Sequence, residues 1–246
     1  MISRRTLLIG LAVSGQSHAC PVDQTAAAEP AGWTLVSVPN RRVARFAAGP
    51  FVPGPVVPGP VVPAPIGTIA IAADNAVGFL LRPVPIGTGA RDRVTWRWRV
   101  DAAPPATSPA DKGRDDRPVA IQVIYREAGD SDGILDDVRR WLFGVLVHDA
   151  YAGRVLTYMW GGTLPAGTRL QNPYRPGDGA IIVLRAAESP LGRWQTETVD
   201  PAADYRWAFG RDAPAPTHIA LSADTEDSGG CALAQVEPPI FLPSNR

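Results

Sequence analysis

Two adjacent aspartates, Asp115 and Asp116, stand beside Lys112, Arg114 and Arg117 at the mouth of an alternating apolar segment that runs to Tyr125. Charges placed where a strand enters a core need partners, so this cluster is either an ion network or part of a binding site. Neighbours on a strand point to opposite faces, so the two carboxylates cannot serve one site through their side chains alone. Glycoside hydrolysis would need a second carboxylate at roughly 5 Å or 6.5–9.5 Å. Glu197 and Asp224 are the candidates to stand opposite Asp116. Asp224, Glu226 and Ser228 alternate and are followed by Gly229, as in the first half of a calcium loop. The twelfth position is Gln235, which rules out the bidentate glutamate of an EF-hand. A shorter structural calcium turn and a plain polar hairpin turn both remain open. Asn172 and Tyr174 flank Pro173 near Arg169, Arg175 and Asp178. Amide, carboxylate and aromatic groups are what sugar hydroxyls and ring faces require. A turn fixed by Pro173 and capped by Asn172 explains the same residues. Lys112, Asp115, Asp116, Asn172, Tyr174 and Asp224 are therefore the candidate polar site.

Several other chemistries lack raw material. The only histidines are His18, His148 and His218, which leaves little for a zinc site or a Ser-His-Asp triad. No glycine-rich phosphate loop, Gly-x-Ser-x-Gly elbow or Cys-x-x-Cys pair occurs. The 24 basic and 24 acidic residues balance, so no long-range field favours nucleic acid or an anionic membrane.

The elements that must position these groups read as mainly β. The 45% hydrophobic content supports a core, and 26 prolines with 24 glycines suit short strands joined by turns. Val94, Trp96, Trp98 and Val100 share one face of an alternating strand, with Thr95, Arg97 and Arg99 on the other. Further strands are expected at 33–38, 66–72, 77–82, 119–125, 155–160, 180–185, 194–199, 219–223 and 232–241. The segments around Asp74 and Asn75 read as a strand pair, and Pro238 and Pro239 make the last strand an edge strand. Ile134, Val138, Trp141, Leu142, Val145 and Leu146 follow helical spacing and predict a medium helix over about 132–148. Asp200 followed by Pro201, with Gly210 beyond, predicts a short helix over about 201–209. The expected fold is a jelly-roll-type antiparallel β-sandwich carrying two helices.

Residues 1–19 have the parts of an export signal: Arg4 and Arg5, an apolar run from Leu7 to Val13, and small residues Ser17 and Ala19 before a cut. The arginine pair fits a twin-arginine leader as well as an ordinary secretory one. The apolar run is too short to span a bilayer. A periplasmic or secreted location is expected. Cys20, directly after Ala19, suits lipid attachment, although Ser17 and His18 depart from a lipobox. Cys20 and Cys231 also suit a disulfide in an oxidising compartment, but they lie at opposite chain ends. Residues 20–32 read as a flexible tether, and residues 50–65 as a stiff proline-rich loop inserted in a single domain over 33–246.

Several pieces, in order, resemble the bacterial family catalogued as domain of unknown function 3047. They are Trp96 to Val100, Lys112 to Asp116 with its strand, Tyr158 to Gly161, Asn172 to Tyr174, Trp194 with Glu197, Asp204 to Arg206 with Phe209 and Gly210, and Ala223 to Gly229. The resemblance covers about residues 30–242. Glu226 stands where that family usually has aspartate. The resemblance implies a β-sandwich like those of carbohydrate-binding modules and no established catalytic residues.

The expected function is that of an exported, non-catalytic binding protein for a saccharide or another polar cell-envelope ligand. The alternatives are a polysaccharide hydrolase or lyase using Asp116 with a second carboxylate, and a structural envelope protein whose charges only hold the fold.

Overall fold

The computed structural model describes Cys20 and residues 30–49, 67–126 and 153–244. The leader, the proline-rich loop over 50–65 and the medium helix over 132–148 lie outside the described residues.

Among the described residues, two sheets form a sandwich. The larger has the order β1 (Thr34–Val36), β4 (Val77–Pro83), β11 (His218–Asp224), β6 (Arg117–Tyr125), β7 (Arg154–Trp160), β9 (Gly179–Arg185) and β8 (Arg169–Gln171). The smaller has the order β10 (Gln195–Val199), β5 (Arg93–Ala102), β12 (Cys231–Leu242), β3 (Ile69–Asp74) and β2 (Arg45–Ala48). Pairing is antiparallel except between β7 and β9, which run parallel, so the expectation of a wholly antiparallel sandwich needs that correction.

The aromatic face predicted for β5 is the core face. Trp96 packs on Tyr158 with ring centroids 5.8 Å apart, and Trp98 on Trp160 at 5.6 Å, so β5 and β7 join the sheets through aromatic edges and faces. Such pairs add about 0.5–1.5 kcal/mol each beyond their burial. Glu197 completes this seam: it accepts from Trp98 Nε1 at 3.0 Å and pairs with Arg185 Nε at 2.6 Å. The other face of β5 is a surface of paired charges, Arg97 with Glu237 at 2.8 Å and Arg99 with Asp101 at 2.6 Å.

Three differences from the sequence expectations have local causes. First, the strands on either side of Asn75 are not partners. β3 and β4 belong to different sheets, and Asn75, with φ 46°, turns the chain from one to the other. Second, β12 is central in its sheet rather than at an edge. Its pairing with β3 ends at Val236, and a register shift between Glu237 and Ile240 carries Pro238 and Pro239 past β5. The prolines sit where the ladder already lacks a demand for their missing donors. Third, the face of β6 that the alternation left unassigned is buried as well. Val119, Ile121 and Val123 face the second sheet, while Ala120 and Ile124 join separate apolar clusters on the outer face.

One helix occurs among the described residues, α1 (Pro201–Phe209). Asp200 Oδ1 accepts from Ala203 N at 3.0 Å, and Gly210 closes the helix with φ 68°, as its cap residues predict. Tyr205 anchors it between Tyr125 and Phe209, each ring centroid 4.7 Å away. Asp204 fastens it to the large sheet by accepting from the Tyr158 hydroxyl at 2.9 Å and pairing with Arg169 at 2.7 Å.

Cys20 and Cys231 form a disulfide with Cα atoms 5.2 Å apart, tying the segment before the first strand to the start of β12. A sulfur in that bond is unavailable for a thioether lipid. Protein purified without reductant is therefore expected to resist thiol alkylation completely and to run faster than its reduced form on gels. An alkylatable Cys231 beside a lipid-bearing Cys20 would contradict the pairing.

Candidate functional site

The charged cluster divides between two jobs, and the division follows from which way each side chain leaves the backbone. Asp115 and Asp116 lie just before β6, and they do diverge. Asp116 is 1% exposed. Its carboxylate accepts the backbone N–H groups of Asp227 at 3.2 Å and Ser228 at 2.7 Å, together with the Ser228 hydroxyl. Thr225 pins the same turn from the other side, its hydroxyl accepting from Ala76 N at 3.0 Å. Asp116 is thus a latch between the entry to β6 and the turn after β11. It does not line the cavity described next, which leaves the hydrolytic alternative without its proposed first carboxylate.

Arg117 carries the other job. It opens β6, is buried, and its guanidinium lies 2.9 Å from Asp115 and 3.7 Å from Asp224. Burial works against its charge, but the two aspartates outweigh burial and hold its pKa above the ordinary value. Arg117 forms part of the floor of a cavity of about 420 Å³ on the outer face of the large sheet. Val77 and Phe79 of β4 supply an apolar floor beside Gln122 of β6 and Asp224 of β11. Loops carrying Arg41, Asp115, Asn172, Tyr174 and Glu226 form the walls. A recess of about 30 Å³ adjoins it and shares Asp115, Arg117, Gln122 and Asn172. That recess is the size of one water or one small substituent.

The structure therefore brings together four of the six sequence-derived site residues: Asp115, Asn172, Tyr174 and Asp224. Lys112 stands outside the lining, its ammonium 5.8 Å from the Tyr174 ring centre. Two wall residues also hold the wall itself. Asn172 Oδ1 caps Tyr174 N at 2.9 Å, the turn role foreseen for it. The Tyr174 hydroxyl accepts from Gly113 N, which the positive φ of 71° at Gly113 turns toward it. Burial first, and the acidic neighbours after it, push the Tyr174 hydroxyl up to about 12.

The three residues foreseen as a calcium turn go separate ways. Asp224 faces Arg117, Glu226 lies 3.0 Å from Arg41, and the Ser228 hydroxyl is used by Asp116. Among the described residues, no group of three or more His, Cys, Asp or Glu side chains converges as a ligand set. Two residues that matter were not foreseen, Arg41 and Gln122. Gln122 left a trace in the sequence, a lone amide inside the apolar run of β6.

The buried atoms on this cavity without a hydrogen-bond partner among the described residues include Arg117 Nε, Gln122 Oε1 and Asp224 Oδ1 on its floor and Glu226 Oε2 on its wall. Buried polar atoms left without a partner cost roughly 1–3 kcal/mol each, and an ordered water or a ligand group can supply that partner. Crowding adds to the tension. Burial, then the charges of Asp115, Glu226 and Asp116, hold Asp224 well above the usual carboxylate range against the pull of Arg117. Burial also raises Glu226 and Asp227.

These shifts give a signed pH dependence. Folded Asp224 holds its proton more tightly than the unfolded chain does. Its contribution to stability is fully present below the ordinary value of 3.8 and is lost as pH rises through the raised folded value. His218 works oppositely. Burial, helped by Arg126, lowers it to about 4, so its contribution is present above 6.5 and lost as pH falls through about 4. The difference between wild type and Asp224→Asn isolates the carboxyl. Asp224→Asn is expected to melt a few degrees higher than wild type at pH 8, with the gap closing as pH falls toward 4. A gap independent of pH would contradict the raised Asp224.

No curated protein matches the chain. Similar solved structures include a carbohydrate-binding module studied for promiscuous specificity within the β-sandwich superfamily, at 10% identity and a TM-score of 0.41, covering 93% of this chain and 62% of that one. A second module, CBM4, matches at 10% identity and a TM-score of 0.36, covering 91% and 92%. The enzymatically active domain of tailspike protein 4 of bacteriophage CBA120 matches at 10% identity and a TM-score of 0.36, and this chain spans 20% of its length. Residues 66–238, most of the chain and all of the cavity floor, match a family described only as a protein of unknown function, and the protein belongs to that family, DUF3047.

Proposed function

We propose that the protein is an exported, non-catalytic binding protein for a saccharide or another polar ligand of the cell envelope. One observation carries this reading. A cavity of about 420 Å³ combines the apolar surface of Val77 and Phe79 with buried, unpartnered polar atoms on Arg117, Gln122 and Asp224. The volume lies within the range of about 300–1,000 Å³ typical of small-ligand pockets. Sugar rings offer both apolar faces and hydroxyls that donate and accept, which suits such a lining. The Cys20–Cys231 disulfide and the leader support an oxidising, extracytoplasmic location. A jelly-roll sandwich presenting a ligand on one sheet face belongs to the same reading. Catalysis is not part of it, because Asp116 is committed to the 227–228 turn and Glu197 to Trp98 and Arg185.

The test is a glycan array on the folded chain, with and without calcium, followed by calorimetry of the best ligand. Gln122→Met removes one unpartnered acceptor and keeps the volume. It is expected to weaken binding about tenfold at a melting temperature no lower than that of wild type. No binding to any glycan in either condition would end the saccharide reading.

A further inference from the structure

The cavity's surplus is of acceptors and negative charge, and that surplus says what a ligand must bring. Four carboxylates line it, on Asp115, Asp224, Glu226 and Asp227, against three guanidiniums, on Arg41, Arg117 and Arg175. The guanidiniums are already engaged. Arg41 lies against Glu226, Arg117 against Asp115 and Asp224, and Arg175 Nη2 donates to the Gly153 carbonyl at 3.3 Å. Asp227 makes no ion pair among the described residues; its carboxylate sits at the exposed rim, where it accepts a backbone hydrogen bond from Asp115.

A second observation points the same way. Asp224 and Gln122, 8% and 3% exposed, each offer an acceptor oxygen with no partner, whereas Arg117 Nε is the single unpartnered donor among these floor residues. A neutral hydroxyl satisfies an acceptor but leaves the charge in place. An anion brings only acceptors and meets four carboxylates. An ammonium has three donors, no acceptor and the missing positive charge.

We propose that the ligand of this cavity carries a primary ammonium group, in its saccharide form an amino sugar with a free amine, and that Asp224 and Asp227 receive it. This rests on the reading of the cavity as the ligand site. A free amine bound here would lower the cost of the crowded carboxylates as well as fill the orphaned oxygens, because every neighbouring carboxylate is attracted to it. Acetylation of the same nitrogen removes both the charge and two of its donors, so the site would discriminate a deacetylated saccharide from its acetylated parent.

The experiment is calorimetric titration of the folded chain at pH 7 and low salt with five probes: a glucosamine tetramer, an N-acetylglucosamine tetramer, a glucose tetramer, a galacturonate tetramer and spermidine. The glucosamine tetramer is expected to bind about tenfold or more tightly than the acetylated one, and the galacturonate tetramer most weakly. Asp224→Asn and, separately, Asp227→Asn should each shrink that preference. Equal binding of the two tetramers, or a preference that survives both variants, overturns the ammonium assignment and leaves saccharide binding standing. Binding of spermidine but of no glycan keeps the ammonium site and overturns its saccharide form. Silence from all five probes overturns both.

Discussion

Arg117→Met is expected to destabilise the protein by about 3–5 kcal/mol, the cost of removing one partner from a buried ion pair. For a domain of this size that lowers Tm by roughly 10 °C. The reason lies in what stays behind. Asp115 and Asp224 flank the guanidinium at 2.9 and 3.7 Å, and without it they face each other across a buried floor. Asp224 already sits well above the usual carboxylate range with Arg117 present, because burial and its acidic neighbours outweigh the arginine. Loss of Arg117 therefore drives it to its protonated form and makes the deficit deepest at high pH. The double variant Arg117→Met with Asp224→Asn should recover more of the loss than Asp224→Asn gains on its own, since the orphaned charge goes with its partner. Thermal melts of the two single variants and the double variant measure this directly. Effects of the two substitutions that simply add would mean that the pair is not coupled.

Asp116→Ala is expected to cost about 2–4 kcal/mol, because it leaves two backbone N–H groups and a hydroxyl of the 227–228 turn without their acceptor. The matching fall in Tm is roughly 5–15 °C. Asp116→Asn should fare little better, because its amide can accept at one end only and turns donors toward donors at the other. Ser228→Ala removes the hydroxyl alone and should cost the least of the three. The ranking separates a latch from a ligand group. If Asp116 variants abolished ligand binding while melting like wild type, the latch would be the wrong account of Asp116.

How much of this was visible in the sequence depends on the range of the forces involved. Local rules were enough for β5, whose Trp96 and Trp98 alternate with Arg97 and Arg99, and for α1, whose Asp200, Pro201 and Gly210 define its ends. They were also enough to see that Asp115 and Asp116 diverge. Long-range order was not legible. Asn75 looks like a hairpin turn, but the sheet that each flanking strand joins is decided by core packing, and the two join different sheets. Pro238 and Pro239 argue for an edge by their missing donors, yet a register shift lets a central strand carry them. The site followed the same pattern. Loops rich in polar residues named Asp115, Asn172, Tyr174 and Asp224, which the fold brings to one cavity. Gln122 was hidden because alternation in β6 assigns a role only to the face of Val119, Ile121 and Val123, whereas both faces are buried. Arg41 lies some 180 residues from its partner Glu226 in the chain, a pairing no local signal announces.

The polar cluster at the entry to β6 is thus read as a latch, Asp116, set beside a ligand floor of Arg117, Gln122 and Asp224. A co-crystal structure with the tightest-binding glycan tests this division most directly. Sugar density is expected in the outer-face cavity, with donors of the ligand on Gln122 Oε1 and Asp224 Oδ1 and the bonds of Asp116 to Asp227 and Ser228 unchanged. A glycan seated instead on the exposed surface around Trp207, with the cavity floor untouched, would contradict it.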